Sequence, residues 1–163
     1  MIADTNVTEF PDSEGLAEIA VGAAHAARRL GLDPRVAFMS YSTFGNPPGE
    51  RTTKVQSAVS RLDQLDLDFE YEGEMAVDIA LDPHHRDRYP FSRLSDAANV
   101  LVMPAVHSAS IAARLLKAAG GATVIEGLLI GLEKSVQVAR VGSNVSDIVN
   151  LAGLAAYDLN HTP

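Results

Sequence analysis

Two short apolar runs without polar alternation constrain this chain most: Val36–Ser40 (VAFMS) and Asn99–Pro104 (NVLVMP). A strand with one wet face alternates apolar and polar residues, whereas a strand covered on both sides reads as a continuous apolar run. Both runs therefore predict strands buried on both faces, as in a parallel sheet layered with helices. The helical periodicity around them agrees. Between Ser13 and Leu30, apolar residues Leu16, Ile19, Ala20, Ala23, Ala27 and Leu30 recur at three- and four-residue steps, with Pro11-Asp12 as a start and Gly31 as a stop. Further helices are expected over Lys54–Leu65, Met75–Leu81 and Ser108–Ala119, the last closed by Gly120-Gly121. The final helix is expected over Asn144–Leu159, with Val145, Ile148, Val149, Ala152 and Ala156 on a buried face. Asp68–Glu72 reads as an edge strand, and strands are also expected within Ala122–Leu132 and at Val136–Ala139. The alternation implies an α/β fold: a three-layer sheet with helices on both faces.

Composition narrows the function classes. A chain of 163 residues, 47% of them hydrophobic, can bury a core of its own. Its net charge of −8 and lack of tryptophan argue against nucleic acid and anionic membrane as partners. No run of about 18 or more apolar residues occurs, so no transmembrane helix is expected. MIADTNVTEF lacks the basic start of a signal peptide, and cysteine is absent, which together suit a cytoplasmic protein without disulfides or thiolate metal sites.

Ligands of open α/β sheets meet the loops at the carboxyl ends of strands. Three loops qualify: Ser42–Arg51, Ala105–Ala109 and Arg140–Ser146. Ser42-Thr43-Phe44-Gly45 offers hydroxyls and backbone N–H groups that can cradle a phosphate or carboxylate, although a plain turn is the commoner reason for such a loop. Asp147, in the first turn of the last helix after Gly142-Ser143-Asn144, suits the helix N-terminus and could also act as a general base. Gly127–Ser135 superficially looks like a phosphate-binding loop, but no glycine directly precedes Lys134. Adjacent His84 and His85 in DPHHRDR read as solvated surface rather than metal ligands, and no metal site is expected. His25 and His107 have no visible partner. The basic residues Arg28, Arg29, Arg35, Arg51 and Lys54 could clamp a phosphate, but a solvated face is the usual explanation.

Five ordered segments resemble the phosphate acetyltransferase (phosphotransacetylase) family, most closely the related C-terminal domain of large bacterial NADP-dependent malic enzymes. They are ADTNVTEFPDSEGLAEIA, GLDPRVAFMSYSTFG, LDFEYEGEMAVDIALD, RYPFSRLSDAANVLVMP and SDIVNLAGLAAYD. The resemblance spans the whole chain and implies a single phosphotransacetylase-like domain over residues 1–163. The implied fold is the second lobe of a two-lobed unit of the isocitrate/isopropylmalate dehydrogenase type. It implies a fragment of a longer protein whose upstream malic enzyme domain carries NADP and a divalent metal, with no cofactor in this chain itself. It also implies homodimers or larger homo-oligomers and acetyl-CoA as a ligand.

Carried over by position, the family's thiol-deprotonating aspartate matches Asp147. The arginine of its S-R-G-x-S-x-x-D motif falls at Val141, with Arg140 one place early. An Asp of the family becomes His107, an Asn becomes Ser110, and Glu126 stands where a glycine is usual. The implied ligand-binding set is Ser42, Thr43, Gly45, Arg140, Ser143 and Asn144. Because transfer of an acyl phosphate needs a pre-placed positive donor, valine at that position implies little or no transferase activity. Three readings follow, in this order: an acetyl-CoA-responsive regulatory module, a structural dimerisation domain, and an active phosphate acetyltransferase.

Overall fold

The computed structural model of the chain describes residues 1–120, 124–125 and 127–161, with side chains as far as Tyr157. The chain divides into two compact units, Met1–Ala112 and Ala113–Pro163.

The first unit is built on a sheet of four strands, β1 (Ile2–Ala3), β2 (Arg35–Met39), β3 (Glu70–Met75) and β4 (Val100–Val102), in the order β1-β4-β2-β3. All pairings are parallel. Parallel neighbours need crossovers, and the first two are the helices α1 (Ser13–Arg29) and α2 (Glu50–Leu62). Both pack on one face of the sheet. Val36 and Phe38 of β2 meet Leu16, Ala20 and Ala27 of α1 and Val55, Ala58 and Leu62 of α2 in one core. Ala37 and Met39 point the other way, into a second core with Met75, Ile79, Leu94 and Ala109. That second layer includes α3 (Val77–Ala80) and the start of α5 (Val106–Ala119), with the single turn α4 (His85–Arg88) between them in sequence. The expected three-layer α/β arrangement with helices on both faces is therefore present, and β3 is an edge strand as its alternation implies.

Helix boundaries follow capping more than apolar spacing. Asp12 caps α1 by accepting from Gly15 N at 2.8 Å, and Arg28 and Arg29 occupy the last turn. Alanine dominates the buried stripe of α1, so backbone and sheet approach closely. Helix α2 starts one turn before the apolar periodicity predicts, at Glu50 rather than Lys54. Pro47-Pro48 cannot lie inside a helix, Gly49 is extended, and Thr52 Oγ1 donates to Gly49 O at 2.6 Å. Met75, expected to begin a helix, instead ends β3 opposite Met39, and α3 shrinks to a single turn. The register slips between Phe38 and Met39, beside Gly73. There φ is +155°, and a Cβ would stand 2.8 Å from that of Phe38, which restricts the position to glycine.

Glu74 braces the loop after β2. Its carboxylate is 1% exposed, and Oε1 accepts from Ser42 Oγ at 2.8 Å and Gly45 N at 2.7 Å. Its carbonyl accepts from Phe44 N at 2.8 Å. The carboxyl oxygen is held by neutral donors, an arrangement like that of a backbone nest.

The second unit contains the end of α5 and all of α6 (Val145–His161). Asn144 and Asp147 cap α6 reciprocally: Asp147 N donates to Asn144 Oδ1 at 2.9 Å, and Asn144 N donates to Asp147 Oδ2 at 3.1 Å. Gly120 follows α5 at φ +82°, as a C-cap glycine should. Gly121 lies outside the described residues. The two strands expected at 122–132 and 136–139 are not formed among the described residues; one isolated antiparallel bridge joins Leu128 and Gln137. Leu129 N donates to the side-chain Oε1 of Gln137, so a side chain takes the acceptor place that a ladder would give to backbone. The expected buried face of the last helix is also corrected. Val145, Ile148 and Val149 are 78%, 51% and 62% exposed, and Ala152 and Ala156 are exposed too. Amphipathic spacing shows that a face is apolar without saying what covers it. No helix among the described residues is long and apolar enough to cross a membrane.

Two stability measurements check this packing. Leu62→Ala, at a fully buried site, is expected to cost about 2–5 kcal/mol in urea unfolding. Glu74→Ala strands two donors and is expected to cost about 2–4 kcal/mol, whereas Glu74→Gln keeps one acceptor and costs less. Equal losses for the two Glu74 variants would contradict the bracing role.

Candidate functional site

The first unit uses its sequence-predicted polar residues internally. Ser42 is fully buried with its hydroxyl on Glu74, and Gly45 gives its N–H to the same oxygen. Thr43 Oγ1 accepts from Ala76 N at 3.0 Å. Phe44, at φ +49°, places its ring 4.8 Å from Phe91 and 5.2 Å from Tyr89. The loop is thus shaped by a carboxylate and an aromatic trio, neither of which periodicity could reveal.

Three of the basic residues flanking that loop, Arg28, Arg35 and Lys54, are also engaged. Arg28 pairs with Asp68 at 2.6 Å, and Arg35 Nε donates to Ala97 O at 2.8 Å. Lys54 Nζ donates to Pro11 O at 2.9 Å and Pro104 O at 3.0 Å, tying the segments after β1 and β4 to α2. Burial lowers the Lys54 pKa, an effect opposed by Asp12 and reinforced by Arg51. The sequence reading of His84-His85 as solvated surface fails at His85, which is fully buried. Its Nδ1 lies 2.8 Å from Asp82 O and its Nε2 3.2 Å from Ser92 Oγ, so both ring nitrogens are used in the interior.

The second unit holds a concave site that contains residues singled out from the sequence. A hollow of about 310 Å³ is lined by Arg114 and Lys117 on α5, by Arg140 to Ser143 before α6, and by Asp147, Asn150 and Leu151 on α6, with Val124, Ile125 and Val138 among its apolar walls. Among the described residues, three cationic side chains and one carboxylate line it, in a chain whose net charge is −8. Local positive charge of this kind selects an anionic ligand against the field of the whole chain.

Of the residues singled out from sequence, Arg140, Ser143 and Asp147 are brought together here. Asn144 is a neighbour that holds Asp147 through the reciprocal cap rather than a lining residue. Ser42, Thr43 and Gly45 belong to the first unit. Val141, which the sequence resemblance sets against the family arginine, is fully exposed and lines the hollow. Glu126 lies outside the described residues. Arg114 and Lys117 were not anticipated as site residues. Their three-residue spacing on one helix face was the available signal, but the same spacing describes any solvated helix surface.

Comparison with known proteins places the chain. The family model described as "Phosphate acetyl/butaryl transferase" matches residues 1–156. An NADP-dependent malic enzyme of Rhizobium meliloti (strain 1021) is 56% identical over 97% of this chain, which spans 21% of that enzyme. A phosphate acetyltransferase of Staphylococcus aureus (strain MRSA252) is 34% identical over 96% of the chain and 49% of the relative. The crystal structure of a phosphotransacetylase from Streptococcus pyogenes superposes with a TM-score of 0.91 at 31% identity, covering 99% of this chain and 49% of that one. The chain thus spans about a fifth of the malic enzyme and about half of the transacetylases, and shares the transacetylase fold. By a family match that runs almost from end to end, this chain belongs to the phosphate acetyl/butaryl transferase family.

Proposed function

We propose that this chain is the phosphotransacetylase-like C-terminal region of an NADP-dependent malic enzyme, and that it binds acetyl-CoA as a regulatory and assembly module without acyl transfer of its own. The observation that supports ligand binding is the hollow with Arg114, Lys117 and Arg140 around Asp147. Guanidinium and ammonium groups suit the phosphates of a coenzyme A ester, and the apolar lining suits its pantetheine arm. The observation that supports silence in catalysis is Val141. An exposed isopropyl group offers no donor to an acyl phosphate whose charge grows in the transition state.

In this reading the malate oxidation, NADP and divalent metal belong to the remainder of the parent protein. The described residues here include no group of three or more His, Asp or Glu placed to hold a metal, and no step is assigned to one. The reading sets the parent in the cytoplasm as a homo-oligomer. Support for self-association comes from the exposed Val145, Ile148 and Val149 stripe of α6. Acetyl-CoA regulates only if it binds one state of the assembly more tightly than another.

A second reading, an active phosphate acetyltransferase, is favoured by one fact: Arg140 lines the same hollow as Asp147. There Asp147 takes the thiol proton of coenzyme A, the sulfur attacks the acetyl carbonyl, and the carbon–oxygen bond to phosphate breaks. Arg140 then holds the departing phosphate.

Calorimetry with acetyl-CoA tests the first reading. Binding is expected, weakened about tenfold to a hundredfold by Arg114→Ala or Arg140→Ala, as loss of a charge-assisted hydrogen bond implies. No heat at millimolar ligand, for this chain and for the parent protein, would remove it. A coupled assay for acetyl-CoA formation separates the two readings, with no rate above buffer expected. If a rate is found, Asp147→Asn decides the mechanism. It keeps an oxygen for the Asn144 N–H but cannot act as a base, so a fall of about 10²–10⁴ supports the second reading and an unchanged rate sinks it.

A further inference from the structure

A groove of about 540 Å³ opens in the first unit between α1 and the end of α2. Helix α2 stops at Leu62, and two hydrogen bonds fold the chain into a turn: Gln64 N donates to Arg61 O at 3.1 Å and Leu65 N to Leu62 O at 3.0 Å. The apolar lining is Ala17, Val21 and Gly22 on α1 and Leu65 on the turn, which is 53% exposed. It rests on a formed base, because Ala17 shares a core with Leu16, Ala20 and Leu62. The polar rim is unbalanced. Arg61 pairs with Glu14 at 3.7 Å and donates from Nε to Ser13 Oγ at 3.2 Å. Glu18, one turn further along α1, and the side chain of Gln64 make no hydrogen bond or ion pair among the described residues. The surrounding field has the sign of Glu18. Met1–Ala112 holds 17 of the 21 acidic residues and 9 of the 13 basic ones, so this unit carries the whole net charge of −8. An apolar groove in such a field selects a cationic partner.

We infer that the groove between α1 and α2 docks a basic amphipathic helix of another protein, with an apolar side chain against Ala17, Val21 and Leu65 and a lysine or arginine on Glu18. A helix suits this surface better than an extended peptide. The α1 wall keeps its backbone hydrogen bonds within the helix, so a strand finds no edge to join, whereas small residues such as Ala17 and Gly22 let a third helix approach closely. Residues 14 to 22 span about 12 Å of α1, which is two turns of an occupant. The groove belongs wholly to the first unit, so the inference stands apart from the reading of the hollow.

The probe is a leucine–lysine peptide of about 15 residues, long enough to form a helix, with its leucines on one face. Two further peptides serve as controls: the same residues in shuffled order, and a leucine–glutamate counterpart. Titration into the full chain, followed by amide chemical shifts, is expected to move the signals of Ala17, Glu18, Val21, Gly22 and Leu65. Both controls are expected to bind at least about tenfold more weakly. Glu18→Lys is expected to weaken binding of the amphipathic peptide about tenfold or more, as loss of a charge-assisted contact implies. Asp87→Lys makes the same change of charge at an exposed position outside the groove and should leave binding unchanged. Leu65→Asp replaces Glu18→Lys if circular dichroism shows that variant unfolded. Equal effects of Glu18→Lys and Asp87→Lys, or equal binding of the shuffled peptide, reduce the surface to general charge attraction and overturn the inference. Shifts confined to other residues, or no binding at millimolar peptide, overturn it too. Shifts at the groove residues that grow with chain concentration in the absence of peptide give the groove to a second copy and overturn the choice of partner.

Discussion

Strand β2 has no exposed side chain from Val36 to Met39, and the first unit is organised around that burial. Alternate residues must each find a separate apolar layer, so Val36 and Phe38 call for α1 and α2 while Ala37 and Met39 call for the layer of α3 and α5. Burial of a side chain the size of Phe38 stabilises by about 1.5–3 kcal/mol, and each residue from Val36 to Met39 contributes to one layer or the other. Parallel pairing on both edges of β2 follows, because crossovers through helices are what deliver cover to both faces. The alanine stripe of α1 is the complement of this arrangement: small side chains let the helix settle against the twisted sheet without voids.

Polar groups inside that frame act as fasteners. Two neighbouring acids of β3 illustrate different solutions. Glu72 is largely buried and meets Arg93, which donates to it through both backbone and guanidinium while lying 4.6 Å over the Tyr71 ring. Glu74 is buried against neutral donors of the Ser42–Gly45 loop. His85 and Ser92 pair similarly under the 82–92 segment. Each removes a group from water only because its hydrogen bonds are replaced, which is the condition for polar burial at tolerable cost. The loop that looks like an anion cradle by sequence is thus wrapped around a carboxyl group supplied by the chain itself.

The second unit obeys a different balance. Its helices are well capped, and its hollow brings three cationic side chains beside Asp147, yet its apolar residues are mostly exposed. A local structure of this kind is specified by capping and turn chemistry more than by a buried core of its own. That makes it suited to respond to a ligand or a partner, since elements of low intrinsic stability are those whose populations binding can shift.

The sequence alone determined the layered α/β class, the parallel character of the sheet, the course of α1 and the family, because apolar period and ordered motifs are local and survive without coordinates. It also placed Arg140, Ser143 and Asp147 in one segment. It could not place Arg114 and Lys117 with them, since their meeting with that segment depends on a fold-back that no spacing encodes. Nor could it foresee that Ser42 and Gly45 face Glu74, or that His85 is buried inside a charged stretch. The exposure of the Val145 stripe was equally hidden. Periodicity reports which side of a helix avoids water, but only the tertiary structure decides what, if anything, lies against it.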